Sequence, residues 1–61
     1  MKYMVFEPTD ATPHEAKPNE IIGRVAYNFD LSKDDAERMI AQATKDEPLL
    51  LYSGEEVWTE E

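Results

Sequence analysis

There is no cysteine in the 61 residues, and the chain holds one histidine and two glycines. Without thiols neither a disulfide nor a thiolate metal site can form, and the lack of cysteine fits a cytoplasmic protein. His14 with Glu15 offers at most two metal ligands, whereas structural zinc takes about four. His14 therefore reads as a solvated loop residue, and no metal or other cofactor is expected. Gly23 and Gly54 alone cannot build a glycine-rich phosphate loop. Long apolar runs are missing too. Leu49–Tyr52 falls far short of the roughly 20 residues of a membrane span, and the apolar start Met1–Phe6 meets Glu7 and Pro8 too soon for a signal peptide. The chain is expected not to cross a membrane.

Catalytic constellations are equally scarce. Ser32 and Ser53 suit a helix cap and a turn better than a nucleophile, which needs a placed base and a desolvated pocket. The carboxylate pairs Asp34-Asp35 and Glu55-Glu56 are neighbours in sequence, so they point apart rather than share a site. The protein is not expected to be an enzyme.

What the chain does have is acid. Fourteen acidic residues stand against six basic ones, for a net charge of -8. Residues 1–20 carry four acids and two lysines, and residues 21–44 carry four acids against Arg24, Lys33 and Arg38. Residues 45–61 carry Asp46, Glu47, Glu55, Glu56, Glu60 and Glu61 against Lys45 alone. An acidic end of this kind repels phosphate backbones and attracts basic proteins. A charged face kept only for solubility would have the same composition.

The length allows one domain, residues 1–61, with a single small core. A domain of this size buries only about 60% of the surface its unfolded chain exposes. Self-association as a homodimer, or a partner, would add what disulfides cannot.

Along the chain, Lys2–Phe6 reads as a strand stopped by Pro8, and its unbroken apolar run suggests cover on both faces. The proline-rich stretch from Glu7 to Glu20 reads as a connector. Within it Thr12-Pro13-His14-Glu15 has the form of a helix start, and Pro18 limits such a helix to one turn. Residues 33–44 are predicted to be a helix capped by Ser32. Ser32 and Asp35 form a capping-box pattern, Leu31 and Ala36 a hydrophobic staple, and Ala36, Met39, Ile40 and Ala43 an apolar stripe. On the opposite face Asp34 and Arg38 are spaced to pair at i,i+4. Leu49–Thr59 reads as a β-hairpin turning around Ser53–Glu56, with Leu50 or Leu51 and Trp58 in the core. Glu20–Leu31 fits two patterns. As a strand, Val25, Tyr27, Phe29 and Leu31 alternate with polar positions. As a helix starting near Pro18, Ile21, Ile22, Val25, Ala26 and Phe29 share one side.

Ile21 to Ser32, running on to Met39-Ile40, resembles a helix-turn-helix. Ala26 stands where that family has a small residue, Phe29 and Leu31 flank the turn, and Ser32 caps the second helix. Asp46 to Trp58 resembles the two-stranded wing of a winged helix-turn-helix. The resemblance covers residues 19–58. Asp30 occupies the turn position usually held by glycine, and must then accept a left-handed backbone. Residues 1–18 offer only the Thr12–Lys17 turn in place of a full first helix. The resemblance implies a small α+β fold with an N-terminal strand, two to three helices and a C-terminal hairpin. The alternative from the residues themselves is a strand-strand-helix-hairpin fold.

In the family the second helix enters the major groove. Here its outward residues would include Lys33, Asp34, Glu37 and Arg38, and the wing would bring Glu55 and Glu56. Phosphate contacts supply much of the affinity of such modules, so nucleic acid is the disfavoured partner. The favoured reading is a non-catalytic acidic interaction module, a regulator or inhibitor. It would meet a basic protein surface with Asp46, Glu47, Glu55, Glu56, Glu60 and Glu61, and DNA mimicry is one version of this. The alternative is a DNA-binding transcriptional regulator acting as a homodimer. Trp58, Tyr52 and Tyr27 belong to the residue types found at binding hot spots. Trp58 is expected in the core, and the two tyrosines are open to either role.

Overall fold

The computed structural model describes residues 1–61. Strand β1 (Lys2–Phe6) sits at the centre of the sheet, where Tyr3 and Val5 are buried and Met4 and Phe6 half-buried. The alternation is that of a strand with one face on the core and a second face partly covered. On one side β1 pairs antiparallel with β2 (His14–Ala16), in the register Tyr3–Ala16, Met4–Glu15 and Val5–His14. The helical turn expected at Thr12–Lys17 is therefore replaced by a strand. A capping box there can satisfy only a few amides, whereas the open edge of β1 offers a row of them. Asp10 shapes the return, accepting from the Thr12 N–H at 3.3 Å while its own N–H donates to the Glu7 carbonyl at 3.0 Å.

Helix α1 (Pro18–Phe29) resolves the ambiguous segment as a helix. Pro18 opens it, where a missing N–H costs nothing, and the Lys17 carbonyl accepts from the N–H groups of Glu20 and Ile21. Ile21, Ile22 and Val25 are buried, with Ala26 and Phe29 packed beside them. That spacing belongs to a helix; a strand would have put Ile21 and Ile22 on opposite faces. Asp30 ends α1 in a left-handed conformation (φ 55, ψ 53), and the N–H groups of Asp30 and Leu31 both donate to the Ala26 carbonyl. This closes the helix as a Schellman motif does.

Helix α2 (Lys33–Ala41) begins as expected, with Ser32 Oγ accepting from the Asp35 N–H at 3.2 Å. It stops before the expected end at residue 44. Thr59 N–H takes the Ala43 carbonyl at 3.3 Å, and Thr44 and Glu47 bond to one another in a turn ahead of Pro48. The Thr44 N–H, which a longer helix would donate to the Ile40 carbonyl, goes to Glu47 instead, while Thr59 uses a carbonyl that any helix end leaves free. Ala36, Ile40 and Ala43 are buried as the stripe requires.

Strands β3 (Leu49–Leu50) and β4 (Glu56–Glu60) form the expected hairpin. Gly54 turns it with φ +92, a conformation that favours glycine. Leu51 enters the core, while Leu50 is 64% exposed. Strand β4 also pairs with β1, giving a four-stranded antiparallel sheet of order β2-β1-β4-β3.

Both helices pack against one face of this sheet. Tyr3, Val5, Ile21, Ile22, Val25, Ala36, Ile40, Leu51 and Val57 form the core. Trp58 is buried as expected, with 4% exposure, but outside that cluster. Adjacent to Val57 and opposite Met4, it lies on the other face of the sheet, its indole N–H donating to Glu60 at 2.8 Å. The fold is thus a small α+β domain running strand, strand, helix, helix, hairpin. There are two helices, and neither is long and apolar enough to cross a membrane.

Candidate partner-binding groove

Helical spacing places Gly23, Arg24, Tyr27 and Asn28 together on the outward side of α1. The turn between β3 and β4 brings Leu51, Tyr52, Ser53 and Glu55 up against them, and the two walls enclose an open groove of about 610 Å³. Two ties hold the walls. Arg24 Nη1 donates to Glu55 Oε2 at 2.7 Å, and the Tyr52 N–H donates to Asn28 Oδ1 at 3.0 Å. Arg24 also reaches Glu20 at 2.8 Å, and Ser53 Oγ donates to the second oxygen of Glu55 at 2.9 Å.

The walls carry unused binding capacity. Tyr27 is 83% exposed and Tyr52 87%, although Tyr52 leans on Phe29 with ring centroids 6.0 Å apart. Asn28 Nδ2 is buried without a hydrogen-bond partner. A backbone N–H can only donate, so Asn28 Oδ1 must face Tyr52 and the orphan atom must be the amide nitrogen. A Cβ added at Gly23 would meet nothing within 4 Å, which leaves the α1 wall open at that point.

The acidic residues singled out from the sequence do not form one patch. Glu55 belongs to the groove, its side chain 16% exposed and engaged by Arg24 and Ser53. Glu56 stands opposite Phe6, and Glu60 opposite Lys2, on the sheet face that carries Trp58. Glu15, opposite Met4, joins them there. Glu61 is exposed at the end of the chain, and Asp46 and Glu47 are exposed in the connection between α2 and β3.

Lys33, Asp34, Glu37 and Arg38 are exposed on α2, where Asp34, Glu37, Arg38 and Ala41 line a shallower depression of about 320 Å³. Arg38 pairs with Asp35 at 3.3 Å, one turn back at i,i+3, and not with Asp34 as the spacing suggested. His14 is exposed but lies in β2 rather than a loop, bonded through Nε2 to Asp10. This hydrogen bond, with the attraction of the Asp10 charge, holds the His14 pKa above its usual 6.5. The same hydrogen bond, helped by the Thr12 N–H, holds Asp10 below 3.8. No group of three or more histidine, aspartate or glutamate side chains is placed to hold a metal ion.

Sequence reasoning named Tyr27, Tyr52 and Glu55 but missed Gly23, Arg24 and Asn28. Once residues 18–29 are a helix, Gly23 with Tyr27 and Arg24 with Asn28 each fall at i,i+4. That spacing was the available signal. No family model, no curated protein and no solved structure matches this chain.

Proposed function

We propose that the protein is a non-catalytic, acidic interaction module, a regulator or inhibitor that engages a basic surface of a partner protein through the groove between α1 and the β3–β4 turn. The observation that carries this reading is the pair of tyrosines, Tyr27 and Tyr52, standing 83% and 87% exposed at one groove. Tyrosine brings a large, stiff contact area at low entropic cost, and exposed pairs of this kind suit recognition. The net charge of -8 supplies long-range attraction for a basic partner. Glu15, Glu56 and Glu60 on the outer sheet face extend that field. Carboxylates standing in for phosphates, and so blocking a nucleic-acid-binding protein, are one form such inhibition takes.

Selection from a random peptide library at about 0.15 M salt tests the reading. Lysine- and arginine-rich ligands should be enriched, and their binding should be lost in the Tyr27→Ala/Tyr52→Ala variant. Ligands of no particular charge, or ligands indifferent to both substitutions, would overturn it.

A second reading is a winged helix-turn-helix DNA-binding regulator. The left-handed turn at Asp30, joining α1 to α2 ahead of the hairpin, favours it. Electrostatics disfavours it. Lys33 and Arg38 on α2 are offset by Asp34 and Glu37, and the hairpin brings Glu55 and Glu56. Submicromolar binding to mixed-sequence duplex DNA at about 0.15 M salt would put this reading first.

A further inference from the structure

We infer that the groove takes an extended, lysine- or arginine-bearing segment of its partner, with a main-chain carbonyl accepting from Asn28 Nδ2 and a cationic side chain lying over the ring of Tyr27 or Tyr52. This rests on the interaction-module reading and names the chemistry its partner must bring.

Three observations converge on that occupant. Asn28 Nδ2 is a buried donor with no acceptor, and an unpaired buried amide is costly enough that it calls for one. A peptide carbonyl is the neutral acceptor that any extended segment carries, whereas a carboxylate would be repelled by the charge of this protein. Second, the groove favours a cation. Glu20 and Glu55 together outnumber the guanidinium of Arg24 that they share. The C-terminal end of α1, where Tyr27 and Asn28 lie, has no basic residue in its last turn and is followed by Asp30. The partial negative charge of a helix C-terminus adds to that field. Third, Tyr27 and Tyr52 are both highly exposed, Tyr52 meeting Phe29 only at a tilt, so each leaves ring surface open to a cation, a partner that aromatic rings favour. Nδ2 is recessed, so the carbonyl reaches it by a side-chain shift at the groove, where Tyr27 and Tyr52 are highly exposed.

The blocked peptide acetyl-Gly-Lys-Gly-Lys-Gly-Lys-amide, titrated into isotope-labelled protein at about 0.15 M salt, is the probe. Saturable shifts of the Asn28 side-chain amide together with the Tyr27 and Tyr52 ring resonances are expected. Asn28→Asp keeps the oxygen that accepts from Tyr52 but removes the donor. It should weaken the peptide about tenfold, the scale of one lost hydrogen bond. Charge attraction alone predicts the opposite sign, since the substitution adds a negative charge. Gly23→Leu, which fills the open space at the α1 wall, should abolish binding. Spermine, a cation without carbonyls, should leave the Asn28 amide in place; measured on the unaltered protein, it keeps the test decisive even if Asn28→Asp fails to fold. Equal or tighter peptide binding by Asn28→Asp, or an Asn28 shift with spermine, would overturn the carbonyl contact and leave the interaction module standing. No saturable binding of the peptide would overturn this choice of occupant. Unchanged peptide binding by the Tyr27→Ala/Tyr52→Ala variant would sink both.

Discussion

Arg24 on α1 and Glu55 in the β3–β4 turn lie 31 residues apart in sequence and meet at 2.7 Å, pinning the hairpin to the helix. The same guanidinium reaches back one turn to Glu20 at 2.8 Å. Glu55 is largely sheltered, but Arg24 is 41% exposed, so solvent screens much of the attraction. A double-mutant cycle on Arg24→Ala and Glu55→Ala should give a coupling of about 1 kcal/mol or less in thermal unfolding. The coupling should shrink as salt is added, and a salt-independent value would mean that packing, not charge, joins the two elements.

Protonated His14 is held by Asp10, which raises the pKa of the histidine above 6.5 and lowers that of the aspartate below 3.8. The His14 contribution to stability is complete below pH 6.5 and is lost as pH rises through its raised folded-state value. The Asp10 contribution is present above pH 3.8 and is lost as pH falls through its lowered value. The pair therefore works only between the two folded-state values. NMR titration of the His14 ring should find its midpoint above 6.5, and Asp10→Asn should bring that midpoint down. A midpoint unaffected by Asp10→Asn would show that the hydrogen bond does not persist in solution.

Asp30 adopts a left-handed backbone at the C-terminal end of α1, where its charge also opposes the helix dipole. Asp30→Gly should relieve both, raising stability by about 1 kcal/mol and shifting Tm upward by several degrees. A lowered Tm would mean that the Asp30 side chain makes a contribution beyond the turn.

Ser32 accepts from the Asp35 N–H at the start of α2. Ser32→Ala should cost about 1 kcal/mol, whereas Ile40→Ala in the core should cost roughly 3 kcal/mol. In a domain of this size, where the core supplies about 3–5 kcal/mol, the second loss approaches the whole stability, so circular dichroism should show Ile40→Ala partly unfolded already at room temperature. A well-folded Ile40→Ala protein would show that the core collapses around the missing side chain.

Patterns confined to a few residues were legible in the sequence. The Ser32 cap, the stripe Ala36-Ile40-Ala43 and the Gly54 hairpin turn each depend on groups within one or two turns of chain, so local chemistry specified them. The small α+β class followed from those elements together with the apolar strand at Lys2–Phe6. Local patterns failed where a distant strand supplied the deciding partners. His14–Ala16 overlaps the helix-start pattern of Thr12–Glu15, yet the free edge of β1 draws it into the sheet. The last turn predicted for α2 gives way to a tight turn, in which the Thr44 N–H donates to the Glu47 carbonyl instead of back along the helix, and β4 docks there through the Thr59 N–H on the Ala43 carbonyl.

The candidate site divides the same way. Tyr27, Tyr52 and Glu55 could be named from their chemistry, but composition could not say which acidic residues stand together. That depends on the register of β4 against β1, which sends Glu56 and Glu60 to the outer sheet face, and on a turn that sends Glu55 to Arg24. Whether residues 20–31 form helix or strand is also undecided locally, since both periods fit the apolar residues. Burying Ile21, Ile22 and Val25 together against the sheet requires the helix, and only that choice gathers Gly23, Arg24, Tyr27 and Asn28 into one groove wall.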